Sequence, residues 1–483
     1  MTRQRNPAHP VVTFVLVSLG LFMVTLDNLV VSTALPVIRV DLGATLQQLE
    51  WTVNAYTLTY AVFLLTGAAL GDRLGRRRMF SIGILIFTIA SAGAALAPDA
   101  GTLVAARAVQ GLGAALVTPL SLTLLAEAVP DGKRGLAIGA WSGVSGLGVA
   151  MGPVVGGAIT EGISWQWIFW VNVPIGLIVA PLAVRLLNES FGPDRSLDPR
   201  GLGLAIASLL PITFGVIRAS ELGWGSTTVV VSLAVGLVLL LAFLVAEARA
   251  REPMLPVRFF RSRAFSATNA ASFAMFFGIF GSIFFLSQYF ITVQGLSPLQ
   301  AGVRILPWTA MPILVAPIAG ILSDRIGARP LMATGLALQA FAMFWVSRVA
   351  GVDTPYVEWL PAFIAAGVGM SLVFAPSANA VLSSVRPKEA GKASGATNTI
   401  RELGGVFGVS VLASVFAGAG GYLSPQDFVD GIRAALPVGA TVLLVGALIA
   451  LLIPKQTSPG QATGESPPDG VDDEGMPLAA RSA

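Results

Sequence analysis

Long apolar runs alternate with short polar and basic turns along almost the whole chain. A membrane-crossing helix takes about 20 mostly apolar residues, and fourteen stretches meet that requirement. Six precede residue 188, at 11–36, 51–70, 79–97, 102–128, 135–159 and 168–187. Two follow at 201–219 and 228–247. Six more lie at 266–293, 303–322, 331–349, 359–384, 393–417 and 434–453. The first run has a signal peptide's character, but thirteen spans behind it mark it as the first membrane helix. The chain from Pro454 onward is rich in Pro, Gly and acid and reads as a disordered tail over 454–483. Residues 1–10 form a short tail at the other end.

Composition agrees. Hydrophobic residues make up 54% and charged residues 12%, against about 25% charged in soluble proteins. Mean hydropathy is +0.77. The net charge of +4 is small and belongs to topology, not to nucleic-acid binding. Cysteine is absent and the one histidine, His9, lies in the N-terminal tail. That excludes disulfides and thiol catalysis and argues against a metal site or a His-based catalytic centre. By position, 23 of the 30 lysines and arginines fall on the side of the N-terminus, and five (Arg39, Arg218, Arg304, Arg348 and Arg433) on the other. The positive-inside rule then predicts both termini in the cytoplasm.

Two turns repeat. Gly71-Asp72-Arg73-Leu74-Gly75-Arg76-Arg77-Arg78 follows the second span, and Ser323-Asp324-Arg325-Ile326-Gly327-Ala328-Arg329 follows the tenth. Both read Asp-Arg-x-Gly-x-Arg. A basic turn with a capping acid would explain either one alone, whereas recurrence at equivalent places argues for duplication. The expected plan is six helices over 11–187, two inserted helices over 201–247 and six over 266–453, with a substrate site between the repeats.

On these residues the chain resembles the major facilitator superfamily. The first turn is similar to its motif A. Leu26-Asp27-Asn28 through Pro36 resembles the first-helix signature of the fourteen-span drug:proton antiporters, Arg107 through Ala115 motif B, and Gly148 through Gly157 the antiporter motif C. Trp165-Gln166-Trp167 is similar to the family's Trp-Arg-Trp, with glutamine replacing arginine. Further similarity runs through Gln288-Tyr289, Gly295 to Pro298 and Arg401 to Gly405. The resemblance implies an all-α fold of two pseudo-symmetric six-helix bundles plus two central helices. It implies proton-coupled export of drugs or natural products from the cell membrane, without a cofactor and driven by the proton gradient.

Asp27 is an ionisable group inside a membrane helix, which is costly and marks a functional site. It lies nine residues before Pro36, about 13 Å along the helix, and reads as either a packing acid or the proton-coupling site. Arg107 has comparable depth on the fourth helix and either tunes Asp27 or snorkels to the interface. Gly148, Gly152 and Gly156 share one face of the fifth helix, with Pro153 and Gly157 beside them, and allow close helix approach. Gly71, Asp72, Arg73, Gly75 and Arg76, with Asp324 and Arg325, form a conformational latch under the resemblance. Glu402 and Glu127 are expected near the interface, leaving Asp27 as the clear deep carboxylate, so neutral or monocationic lipophilic substrates are expected over dications. Tyr56, Gln110, Phe284, Gln288, Tyr289 and Asn379 are candidate cavity residues. Expected partners are the substrate, protons and membrane lipid, with no nucleic acid, and the expected state is a monomer. The absence of Gly-x-x-x-x-Gly-Lys-[Ser/Thr] argues against an ATP-driven pump. An importer of metabolites or lipids is the main alternative, and a channel a third.

Overall fold

The computed structural model describes residues 10–192, 199–386 and 389–455. The expected disordered tail lies outside the described residues, apart from Pro454 and Lys455, as do Arg3, Arg5 and His9. Among the described residues, fourteen helices are long and apolar enough to span a bilayer. The first half holds α1 (Pro10–Asp41), α2 (Leu46–Leu74), α3 (Arg76–Ala95), α4 (Ala100–Ala128), α5 (Arg134–Gly162) and α6 (Trp167–Leu186). The inserted pair is α7 (Pro199–Leu222) and α8 (Thr227–Arg249). The second half holds α9 (Arg263–Val293), α10 (Leu299–Ile326), α11 (Ala328–Val349), α12 (Leu360–Ser383), α13 (Ala390–Ala419) and α14 (Pro425–Ala450).

Local chemistry sets the helix ends. At the end of the bundle away from the N-terminus, here the far end, short polar side chains start the helices. Thr45 and Ser297 each form a capping box with a glutamine three residues on. Asp99 accepts the Thr102 N–H at 2.8 Å and its hydroxyl at 3.0 Å. Those bonds, the backbone one foremost, hold its carboxyl below the usual range. At the other, basic end the two repeated turns use glycine. Gly75 and Gly327 have φ of +108° and +83°, a region closed to most side chains.

Three spans are broken where their sequences predict single runs. In α6, Trp167–Trp170 and Asn172–Leu186 are separate helices meeting at Val171, just before Pro174. In α10, Pro298–Thr309 and Met311–Ile326 meet at Ala310, with Pro307 and Pro312 on either side removing backbone donors. The last turn of α9, Tyr289–Val293, is π-helical.

Each half packs around its own core, and the halves meet along two seams. In one, α5 runs along α10; in the other, α13 runs along α2 and touches α4. Helix α7 covers the second seam, lying against both α2 and α13. Trp51 of α2 stacks on Phe214 of α7 at 6.1 Å. Trp224, just past α7, donates to Ser414 of α13 at 2.9 Å. Helix α8 packs on α7 and turns Val231, Val238 and Leu241 outward.

Helix α5 is packed on two faces. Gly148, Gly152 and Gly156 sit against Thr25, Leu29 and Thr33 of α1, with no room for a Cβ at any of them. Gly139 and Gly146 lie as tightly against Ala316 and Pro312 of α10. Small residues at four-residue spacing let backbones approach closely, which supplies packing that the lipid cannot.

Helix α13 corrects one expectation. It begins at Ala390, within a polar stretch, and Lys392, Ser394, Thr397 and Asn398 are all buried there. Glu402 is therefore twelve residues inside the helix, or about 18 Å, and not at the interface. Asp27 is not the sole deep carboxylate.

Candidate functional site

Asp27 and Arg107 form an ion pair with both side chains fully buried. Asp27 Oδ2 takes the charge-assisted bond from Arg107 Nη1. Its Oδ1 accepts from Gln110 Nε2 at 3.2 Å and Asn172 Nδ2 at 2.9 Å. Arg107 also donates from Nε to the Thr52 carbonyl at 3.1 Å and from Nη1 to Gln110 Oε1 at 2.9 Å. Its guanidinium lies over the Tyr56 ring at 4.3 Å. Ser91 Oγ accepts from Gln110 at 2.7 Å. Arg107 thus points inward and does not snorkel. Five helices of the first half contribute. The break in α6 serves this site, because it starts a helix at Asn172 and turns that side chain onto Asp27. Such a pair is costly to break: removing one partner of a buried pair typically costs about 3–5 kcal/mol, since the other is left unpaired.

Tyr56 and Gln110, expected in the cavity wall, are fully buried parts of this network. Asn172, Thr52 and Ser91 were missed by sequence reasoning. A polar amide inside an apolar run was the available signal for Asn172.

The repeated turns meet the opposite half at the basic end. Asp72 accepts from Arg76 Nε at 2.7 Å, and Arg76 is ion-paired in turn to Glu127. Gly391, second residue of α13, faces the Asp72 carboxylate with no room for a Cβ. Asp324 stands in the same way against Gly135, second residue of α5. Each carboxylate therefore sits at a helix N-terminus of the other half, where the helix dipole favours negative charge. The two differ in support. Asp72 is buried, and Arg73 reaches the Glu252 carbonyl at 3.4 Å. Gly71 is held tightly against Leu120. Asp324 and Arg325 are exposed, and Asn379 Nδ2 is 3.5 Å from Asp324 Oδ1. Asn379 lies here, beside a cleft of about 330 Å³ also lined by Glu127, Arg134 and Lys455, and not with the other cavity candidates. Ser394 of α13 donates to the Pro119 carbonyl of α4 at 3.2 Å, further tying the halves together at this end.

In the second half, Arg401 and Glu402 occupy the middle of α13. Glu402 is half-buried and close enough to Tyr60 and Tyr56 of α2 to interact electrostatically with both. Phe284 of α9 is 38% exposed and Gln288 is half-buried. Tyr289 is instead buried at the far end, donating to the Gly351 carbonyl at 2.5 Å and packing tilted against Trp359 with ring centres 4.8 Å apart. It anchors packing there.

Comparison with known proteins agrees with this architecture. The family model of the Major Facilitator Superfamily matches residues 17–409. The tetracenomycin C resistance and export protein of Streptomyces glaucescens is 33% identical, covering 94% of this chain and 85% of its own. The cephamycin export protein CmcT of Amycolatopsis lactamdurans is 38% identical, covering 91% and 92%. The multidrug efflux pump LfrA of Mycolicibacterium smegmatis is 34% identical, covering 94% and 90%. Among solved structures, the proton:xylose symporter XylE superposes with a TM-score of 0.67 at 16% identity, over 92% of this chain and 96% of that one. With a repeated turn in each half, fourteen spans and a family match across most of its length, the chain belongs to the Major Facilitator Superfamily.

Proposed function

We propose that this protein exports lipophilic drugs or natural products from the cell in exchange for protons, by alternating access. The observation that carries the reading is Asp27: a fully buried carboxylate held by an arginine and two amides inside the membrane span. Such a group has one evident use, to take up and release a proton when the pair opens. Arg107 occupies the Asp27 carboxylate while the pair is closed. Relatives named for antibiotic export and multidrug efflux support the direction.

The distribution of lysine and arginine assigns the basic end, and both termini, to the cytoplasm. The two carboxylates at opposing helix N-termini then act as latches that hold the cytoplasmic side shut. The proton gradient supplies the energy, no cofactor takes part, and the protein works as a monomer surrounded by lipid. Neutral and monocationic compounds are the first substrates to try, and the depth of Glu402 removes the argument against dications.

Everted membrane vesicles test the reading. An inward-acid gradient should drive accumulation of ethidium, and a protonophore should abolish it. Ethidium uptake that ignores the gradient would overturn proton-coupled export.

A further inference from the structure

Another buried arginine takes no part in the coupling scheme. Arg401 is 3% exposed and lies eleven residues inside α13. Its Nη2 donates to Ser377 Oγ of α12 at 2.6 Å. Its Nε has no acceptor. Among the described residues, no carboxylate oxygen stands within 4.0 Å of it. The guanidinium carbon lies 5.7 Å from the Phe276 ring centre and 5.8 Å from that of Phe374, and these two rings are 5.5 Å apart. The cation is thus walled by aromatic faces from α9 and α12, with Glu402 next to it on the side of Tyr60.

A buried guanidinium without a carboxylate partner is expensive. Its planar fork matches a carboxylate in bidentate fashion and also stacks on rings. Phenylalanine faces offer apolar area and offset stacking to a flat molecule. Together these are the parts of a site for a planar aromatic ligand bearing an acidic oxygen.

We infer that Arg401 is a specificity residue for acidic aromatic substrates, binding a carboxylate or phenolate while Phe276 and Phe374 hold the ring. This extends the cargo beyond neutral and cationic compounds, and it rests on the export reading for its physiological meaning. Glu402 sets the balance: its negative charge beside Arg401 weakens the pull on an anion and favours a cation. Asp27 belongs to the other half and is not needed for this recognition.

Binding to the purified full-length protein in detergent tests the assignment, read by tryptophan quenching. Three probes share one ring system: 9-anthracenecarboxylate, its methyl ester and 9-anthracenylmethylammonium. The carboxylate should bind more tightly than the ester. Arg401→Gln should weaken the carboxylate about tenfold or more, the loss expected for one charge-assisted hydrogen bond, and leave the ammonium within about twofold. Arg401→Lys should fall between. Glu402→Gln should tighten the carboxylate and weaken the ammonium. An equal loss for all three probes in Arg401→Gln would reveal a packing role and overturn the inference. So would a carboxylate that binds the unaltered protein no better than the ester. If Arg401→Gln does not fold, Glu402→Gln decides, and carboxylate affinity that is unchanged or weaker in it overturns the inference. Detergent binding needs no gradient. Loss of gradient-driven ethidium accumulation with carboxylate selectivity intact therefore sinks the export reading alone, and the reverse pattern sinks this one alone.

Discussion

Arg107 and Arg401 are both arginines buried in membrane helices, and each lies near aromatic rings, yet their surroundings differ. Arg107 is ion-paired to Asp27, bonded to Gln110 and Thr52, and stacked on Tyr56. Arg401 has Ser377 and two phenylalanine rings. The first half pairs its arginine with a carboxylate, and the second gives its own a hydroxyl and ring faces, although Arg107 Nη2 and Asn172 Oδ1, like Arg401 Nε, have no partner among the described residues. The contrast recurs at the basic end, where Asp72 is buried and bridged to Glu127 through Arg76 while Asp324 is exposed. An arginine paired to a carboxylate resists opening until a proton breaks the pair, which suits coupling. An arginine with no carboxylate within 4.0 Å among the described residues can take an acidic ligand, which suits recognition.

The largest expected effect breaks the first network. Asp27→Asn should lower gradient-driven ethidium accumulation at least about tenfold, as fits a buried pair whose disruption costs about 3–5 kcal/mol. Proton release on substrate binding, titrated in detergent, should vanish with it. Release that persists in this variant removes Asp27 as the coupling site. Next comes the α5 face: Gly148→Val forces a side chain into Thr25, and overpacking of this kind costs about 1–3 kcal/mol. The midpoint of thermal unfolding should fall by several degrees, whereas Gly132→Val, with open space around it, should leave it unchanged.

The Asp72 and Asp324 turns sharpen the comparison further. Asp72→Asn should reduce transport more than Asp324→Asn, since exposed charge contacts contribute about 0–1 kcal/mol. Equal losses would mean that burial and the Arg76–Glu127 bridge do not matter. The smallest effect belongs to Asp99→Ala, which removes one helix cap and should cost about 1 kcal/mol of stability without changing substrate preference.

Much of the fold was legible from apolar runs, because lipid-facing helices must be apolar along their whole length. The repeated Asp-Arg-x-Gly-x-Arg turn gave the two-half plan for a related reason: each copy must pass its backbone through a glycine bend at Gly75 or Gly327. The Asp27–Arg107 ion pair was also readable, since both are charges stranded within apolar segments. Helix α13 was misread at its start. The span was read from residue 393 and starts at Ala390, and residues 390–399, small and polar, are buried against the other half and not against lipid. Glu402 was expected near the interface because those residues have the polarity of a helix end. Asn172 escaped because its role depends on the break in α6, which brings together groups 145 residues apart in sequence. Tyr289 and Asn379 show the limit of residue type alone: both are polar groups on spanning helices, yet one anchors the far end and the other lies beside Asp324.

Helix α5 offers little freedom for change. With Gly148, Gly152 and Gly156 pressed on one neighbour and Gly139 and Gly146 on another, almost any enlargement meets backbone or a packed side chain. A lineage adapting to a new toxic compound therefore has few usable substitutions on this helix. Diversification of cargo is channelled instead to α9 and α12, where Phe276 and Phe374 face each other within the second half.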